Sequence, residues 1–208
     1  MPTAFERFRF SFFEDTDSAR QGLDLAALRE LTGEERLRAE DLLIQYLPDT
    51  RGVIGLGVLS SIRSEPMLKA IFEAEQAERR ADPDHWYPFR LMDVARALWQ
   101  IHHDPRWPAA IASVLSSATD PIQREMAAEA LCGVDDPATV TALKAALDDS
   151  ESLVRHHAGR GLLIIYRVTS ETALPPVDPG NMLYLIMSND PAKREGGKRD
   201  ILAAIAGR

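Results

Sequence analysis

Few residues in this chain are of types that could do chemistry. His102-His103-Asp104 and His156-His157 hold the paired histidines. A metal centre needs several ligands converging on one point, with a second layer of hydrogen bonds to orient them. Neighbouring residues on a helix point about 100° apart, so at most one histidine of each pair can face a shared site. They read as surface or turn histidines, and no metal site is expected. Cys132 is the single cysteine, which excludes an intrachain disulfide and a CxxC site. Within "EALCG" it reads as a small buried apolar residue, with a reactive thiol as the alternative. "GVIGLGVLSS" contains Gly55-x-Gly57, but a dinucleotide loop needs a preceding strand and a third glycine where Ser60 stands. Close packing of a neighbouring helix explains these glycines better. Glu73, Glu75 and Glu78 alternate with Arg79 and Arg80 and read as a solvated helix face. No Ser-His-Asp spacing, Cys-His pair or Walker motif stands out. No catalytic residue is assigned, and no cofactor is expected.

The richest cluster is "DPDHWYPFR" followed by Trp99 and His103. A proline-bounded loop carrying Trp86 and Tyr87 runs into a helix bearing Arg90, Asp93, Arg96 and Trp99. Trp, Tyr and Arg are the residue types favoured at binding hot spots. Trp86, Tyr87, Arg90, Asp93, Arg96, Trp99 and His103 are therefore the candidate partner-binding set. The competing reading makes Trp86 and Trp99 core residues filling the gap at a longer repeat.

The elements that must position this set repeat along the chain. "RGVIGLGVL", "RLMDVARAL", "REMAAEAL" and "RHHAGRGL" end at Leu59, Leu98, Leu131 and Leu162, with spacings of 39, 33 and 31 residues. Each opens with an arginine: Arg51, Arg90, Arg124 or Arg155. Small residues precede each leucine and allow another helix to come close. Between these phrases lie amphipathic segments. "TGEERLRAEDLLIQYL" has a capping-box spacing at Thr32 and Glu35 and a face of Leu37, Leu42, Leu43, Tyr46 and Leu47. Three more place Leu68 and Phe72, Trp107 and Ile111, and Leu143 and Leu147 on their apolar sides. Pro66, Pro105, Pro121 and Pro137 fall at helix starts, where the missing amide hydrogen costs nothing. Strand signals are nearly absent, so the fold class is all-α.

This pattern resembles HEAT repeats, especially the short HEAT-like type also found in phycobilin lyases. In that family a first helix ends near an aspartate, and a second opens with Val-Arg and runs into Ala-x-x-Ala-Leu. "LKAALDDSESLVRHHAGRGL" fits well, with Asp149 six residues before Arg155. The match loosens toward the N-terminus, where glycines replace alanines in the first phrase. The resemblance covers roughly residues 34–166. It implies a right-handed alpha-alpha superhelix, a HEAT/armadillo-like solenoid whose Ala-Leu helices line the concave side. HEAT-like di-iron hydroxylases use repeated His-Glu pairs, and this chain has no His-Glu dipeptide. HEAT-like DNA glycosylases use a basic groove with Trp, Asp and Arg. Trp99, Asp93 and Arg96 supply the residue types, but the chain is acidic and no motif of that enzyme family can be matched.

The ends depart from the repeat. Phe5, Phe8, Phe12 and Phe13 can share a helical face and cap the first repeat, or else form an exposed docking patch. At the other end, a loop and the helices around "NMLYLIMS" and "AKREGGKRDILAAIAG" should close the stack, with Gly196-Gly197 weakening the last helix. The expected organisation is a cap over 1–33, repeats over 34–168, and a loop with capping helices over 169–208, in one continuous domain. Apolar residues make up 45 % of the 208, enough for a sizeable core. The net charge of −8 disfavours nucleic acid, because the basic groups do not cluster. The longest apolar run is far too short for a membrane span, and the aromatic N-terminus lacks the features of a signal peptide, so a cytoplasmic location is expected. The functional expectation is a non-enzymatic helical-repeat module that binds a protein partner on its concave face. One specific form is an immunity or antitoxin protein, whose acidic surface would steer onto a basic toxin. A lyase-like or DNA-base-modifying HEAT-like enzyme is the rival.

Overall fold

The structure, a computed structural model, describes residues 1–13, 22–81, 89–170 and 180–207. Among them every regular element is a helix. The chain divides into two compact units, Met1–Asp104 and Pro105–Arg208.

In the first unit, α1 (Ala4–Phe13), α2 (Leu25–Glu30), α3 (Gly33–Gln45), α4 (Thr50–Val58), α5 (Glu65–Ala81) and α6 (Phe89–His102) follow one another, with a 3-10 turn at Ile62–Ser64 before α5. α4 packs on α3 and α6, and α6 packs on α5. The phrases ending at Leu59 and Leu98 are thus direct neighbours, as stacked repeats require. Gly57 makes this contact possible: a Cβ there would sit 2.8 Å from the Cα of Ala97. The dipeptide spacing that mimics a nucleotide loop is a helix-crossing point.

The N-terminal phenylalanines largely cap this unit. Phe5, Phe8 and Phe12 are buried against Leu28, Leu43 and Leu56, whereas Phe13 stays 42 % exposed. Thr3 and Glu6 close a reciprocal capping box at α1: the Thr3 amide donates to Glu6 Oε2 at 2.8 Å, and the Glu6 amide donates to Thr3 Oγ1 at 3.2 Å. The box expected at Thr32 and Glu35 does not form at Thr32, whose side chain makes no cap hydrogen bond. Gly33 has a φ of +53°, outside the helical region that a capping box needs at its first residue. The apolar face of α3 also differs from the expected one. Leu43 and Ala39 are buried, but Leu37 and Tyr46 are exposed.

In the second unit, α7 (Arg106–Ser117), α8 (Pro121–Ala130), α9 (Pro137–Ala146) and α10 (Ser152–Ile165) form two helix pairs. α7 packs on α9 and α8 on α10, so the pairs stack as two layers. Asp120 and Asp136 cap α8 and α9, each followed by proline at the first helical position. Leu59, Leu98, Leu131 and Leu162 are all 2 % exposed or less, so the aligned leucines are core in both units. α11 (Met182–Ile186) and α12 (Pro191–Ala206) pack on each other and on α10. The Gly196-Gly197 pair does not split α12. A Cβ on Gly197 would come within 2.5 Å of the Ile186 amide nitrogen, so the glycine lets the backbone of α11 lie against the helix.

Candidate partner-binding surface

Of the seven residues singled out, five lie on or beside α6. Trp86 and Tyr87 lie outside the described residues. The helix buries Leu91, Val94, Ala95 and Leu98. Asp93, Arg96 and Trp99 occupy the intervening positions and are half-buried. Their spacing of three stacks them along one side of the helix. Trp99 meets His103 edge-on, with ring centroids 4.8 Å apart and planes at 87°. His103 itself is exposed and has a φ of +52°, where the helix ends. Its amide still donates to the Trp99 carbonyl at 2.7 Å. The left-handed backbone at His103 and the ring contact together set the imidazole against the indole. Phe89, at the first position of α6, is 54 % exposed and adds an aromatic ring that the sequence reading passed over.

Arg90 stands apart from this group. Its Nη1 lies 3.1 Å from Glu75 Oε1, and the Glu75 side chain is only 6 % exposed. Glu75 is therefore not part of a solvated face. It shares the buried side of α5 with Leu68 and Phe72, and Arg90 supplies its counter-charge. Arg90 ties α6 to α5 before it can do anything else.

The histidines divide in the same way. His102 is exposed and meets Glu65 Oε2 at 2.8 Å. Hydrogen bonds from Lys69 and His102 hold the Glu65 carboxyl below the usual carboxylate range. His156 and His157 are half-buried on α10 rather than in a turn, and neither Nδ1 has a hydrogen-bond partner among the described residues. Burial, then the nearby His157 and Arg160, push the His156 imidazole below its ordinary value. Among the described residues no three His, Cys, Asp or Glu side chains are placed to hold a metal ion. Cys132 is 5 % exposed, with its Sγ 3.5 Å from the His157 carbonyl.

The arginines that open the second unit's two phrases were missed as a functional pair of the fold. Arg124 Nη1 donates to the carbonyls of Ala118 and Thr119 at 3.1 and 3.0 Å. Arg155 Nη1 donates to those of Asp149 and Ser150, both at 2.7 Å. Each arginine reaches back to the carbonyls six and five residues earlier, closing the turn that delivers its helix. The signal was present in the sequence as the repeated arginine, but its partners are backbone atoms and leave no residue signature.

Residues 93–178 match the family described as HEAT repeats. Neither a curated protein nor a solved structure matches the chain. No helix among the described residues is long and apolar enough to cross a membrane.

Proposed function

We propose, from the premise that residues 93–178 are a run of HEAT repeats, that this protein is a non-enzymatic module holding a protein partner, with α6 as its principal contact helix. The supporting observation is Trp99, half-buried, braced edge-on by His103 and one turn from Arg96. Braced aromatics beside an arginine lose little side-chain freedom on binding, which is why such groups dominate interface energetics. The finer form of the reading is an immunity or antitoxin role. A net charge of −8 speeds encounter with a basic toxin domain and sets its salt dependence.

The test begins with affinity capture from the source cell and identification of the captured protein. Its affinity is then measured by titration calorimetry against Arg96→Ala, Trp99→Ala and Leu131→Ala. Arg96→Ala should melt like the parent and weaken binding by about 1–2 kcal/mol or more. Leu131→Ala is the control for a damaged core and should cost about 2–5 kcal/mol of stability. If Arg96→Ala binds unchanged, α6 is not the contact helix. If it melts as early as Leu131→Ala, the arginine is structural.

A further inference from the structure

The first unit carries a cavity away from the side of α6 discussed above. A cavity of about 480 Å³ opens between α1 and α3. Its walls include the rings of Phe5, Phe13 and Tyr46 and the charged side chains of Arg9, Arg38 and Asp41. Phe13 and Tyr46 are 42 % and 44 % exposed and meet edge-on, with centroids 5.3 Å apart. Two aromatic rings are thus held together at the rim without being used as core.

The charges at this cavity are unbalanced. Asp41 is committed to Arg63, whose Nη2 lies 2.6 Å from its Oδ1. Arg38 lies over the Phe5 ring, 4.5 Å from its centroid. That contact holds the guanidinium in place but leaves its hydrogen-bond donors available. Neither Arg9 nor Arg38 has a carboxylate partner among the described residues. In a chain with 32 acidic and 24 basic residues, two guanidiniums flanking one aromatic cavity, with Asp41, the only lining carboxylate among the described residues, already paired, is a specific arrangement. The volume also falls in the range of small-ligand sites, about 300–1,000 Å³.

We propose that this cavity binds a small amphiphilic anion: an aromatic or branched apolar body bearing a carboxylate or an equivalent oxyanion. The apolar body lies against Phe13 and Tyr46, and the oxyanion accepts hydrogen bonds from Arg9 and Arg38. Guanidinium is suited to this task because its planar fork matches the paired oxygens of a carboxylate.

The probe is 1-anilinonaphthalene-8-sulfonate, an aryl anion, titrated into the full-length protein and followed by its fluorescence. N-phenyl-1-naphthylamine, the same aromatic body without the anionic group, is the comparison. The expected result is one saturable site that weakens as salt rises and binds the sulfonate at least about tenfold more tightly than the amine. Arg9→Gln with Arg38→Gln should weaken the sulfonate by about tenfold or more and leave the amine unchanged. Phe13→Ala should weaken both probes. All three side chains are exposed, so circular dichroism should show the folded parent spectrum in each variant. Equal affinity for the two probes would overturn the proposal. So would sulfonate binding that survives the double arginine substitution, or fluorescence that rises without saturating.

Discussion

Arg124 and Arg155 occupy the same place in successive repeats and do the same first job, but their remaining nitrogens go to different partners. Arg124 Nε and Nη2 meet the Asp149 carboxylate at 2.8 and 3.0 Å, so the turn of one repeat is tied to the turn of the next. Arg155 forms no ion pair among the described residues. Its Nε donates to the Ile186 carbonyl at 2.7 Å, and its Nη2 to those of Met187 and Ser188, both at 3.3 Å. These carbonyls cluster at the end of α11, where a helix leaves acceptors unsatisfied. Arg155 is only 1 % exposed. Arg124 thus uses a charge pair, while Arg155 buries the same guanidinium among neutral carbonyls. Burial pushes the Arg155 guanidinium below its ordinary value, with Arg194 adding to the effect. The hydrogen bonds that Arg124 donates to Asp149 hold its guanidinium above the ordinary value.

The largest expected effect is on Arg155. Arg155→Ala strips hydrogen bonds from five carbonyls, that of Ile186 buried and the others partly so, and should cost about 3–5 kcal/mol. Denaturant unfolding of the full chain checks it. A loss below about 1 kcal/mol would mean that α11 and α12 hold by apolar packing alone. Arg124→Ala should cost less, about 1–3 kcal/mol, because its side chain is 15 % exposed and water can reach the acceptors it leaves. If the two variants cost the same, the charge pair and the carbonyl cluster are equivalent devices and the contrast fails.

Acid should separate the two arginines further. Burial raises the Asp149 carboxyl, but its hydrogen bonds from Arg124 and the Glu151 amide outweigh this and hold it below the usual carboxylate range. The folded form therefore binds the proton less readily than the unfolded chain. The stability this contributes is present above the unfolded value, near pH 4, and is lost as pH falls through the folded one. Asp149→Asn should remove that part of the acid dependence and cost about 1–2 kcal/mol at neutral pH. Arg155 hydrogen-bonds backbone carbonyls and touches the Asp149 carboxylate only through its charge, so Arg155→Ala should leave most of that acid limb in place.

The smallest effect belongs to His156. Its folded value lies below the ordinary one near 6.5, so the unfolded chain takes up the proton first. Stability should be full above that pH and decline as pH falls below it toward the folded value. Melting temperatures of the parent should drop between pH 7.5 and 5.5, and those of His156→Gln should drop less over the same interval. Parallel curves for the two proteins would remove His156 from the account.

The sequence by itself determined the helices, their pairing and the core leucines. These follow from local capping and an apolar period, which repeat with each phrase and need no distant partner. Leu59, Leu98, Leu131 and Leu162 could be read as core for that reason. The small residues beside them could be read as crossing points, as Gly57 against Ala97 bears out. The aromatic cap was legible in the same way for Phe5, Phe8 and Phe12. What only the tertiary structure decided was where polar side chains go. Arg90 found the buried Glu75 on α5, Arg155 found carbonyls more than thirty residues away, and Phe13 remained at a cavity rim instead of entering the core. Arginine and glutamate carry long side chains whose partners are set by which helices meet. Backbone acceptors, moreover, have no letter in the sequence. The same reason applies on α6: the types and spacing of Arg90, Arg96 and Trp99 nominate a surface, but only the packing of α5 and α6 shows that Arg90 pairs with Glu75.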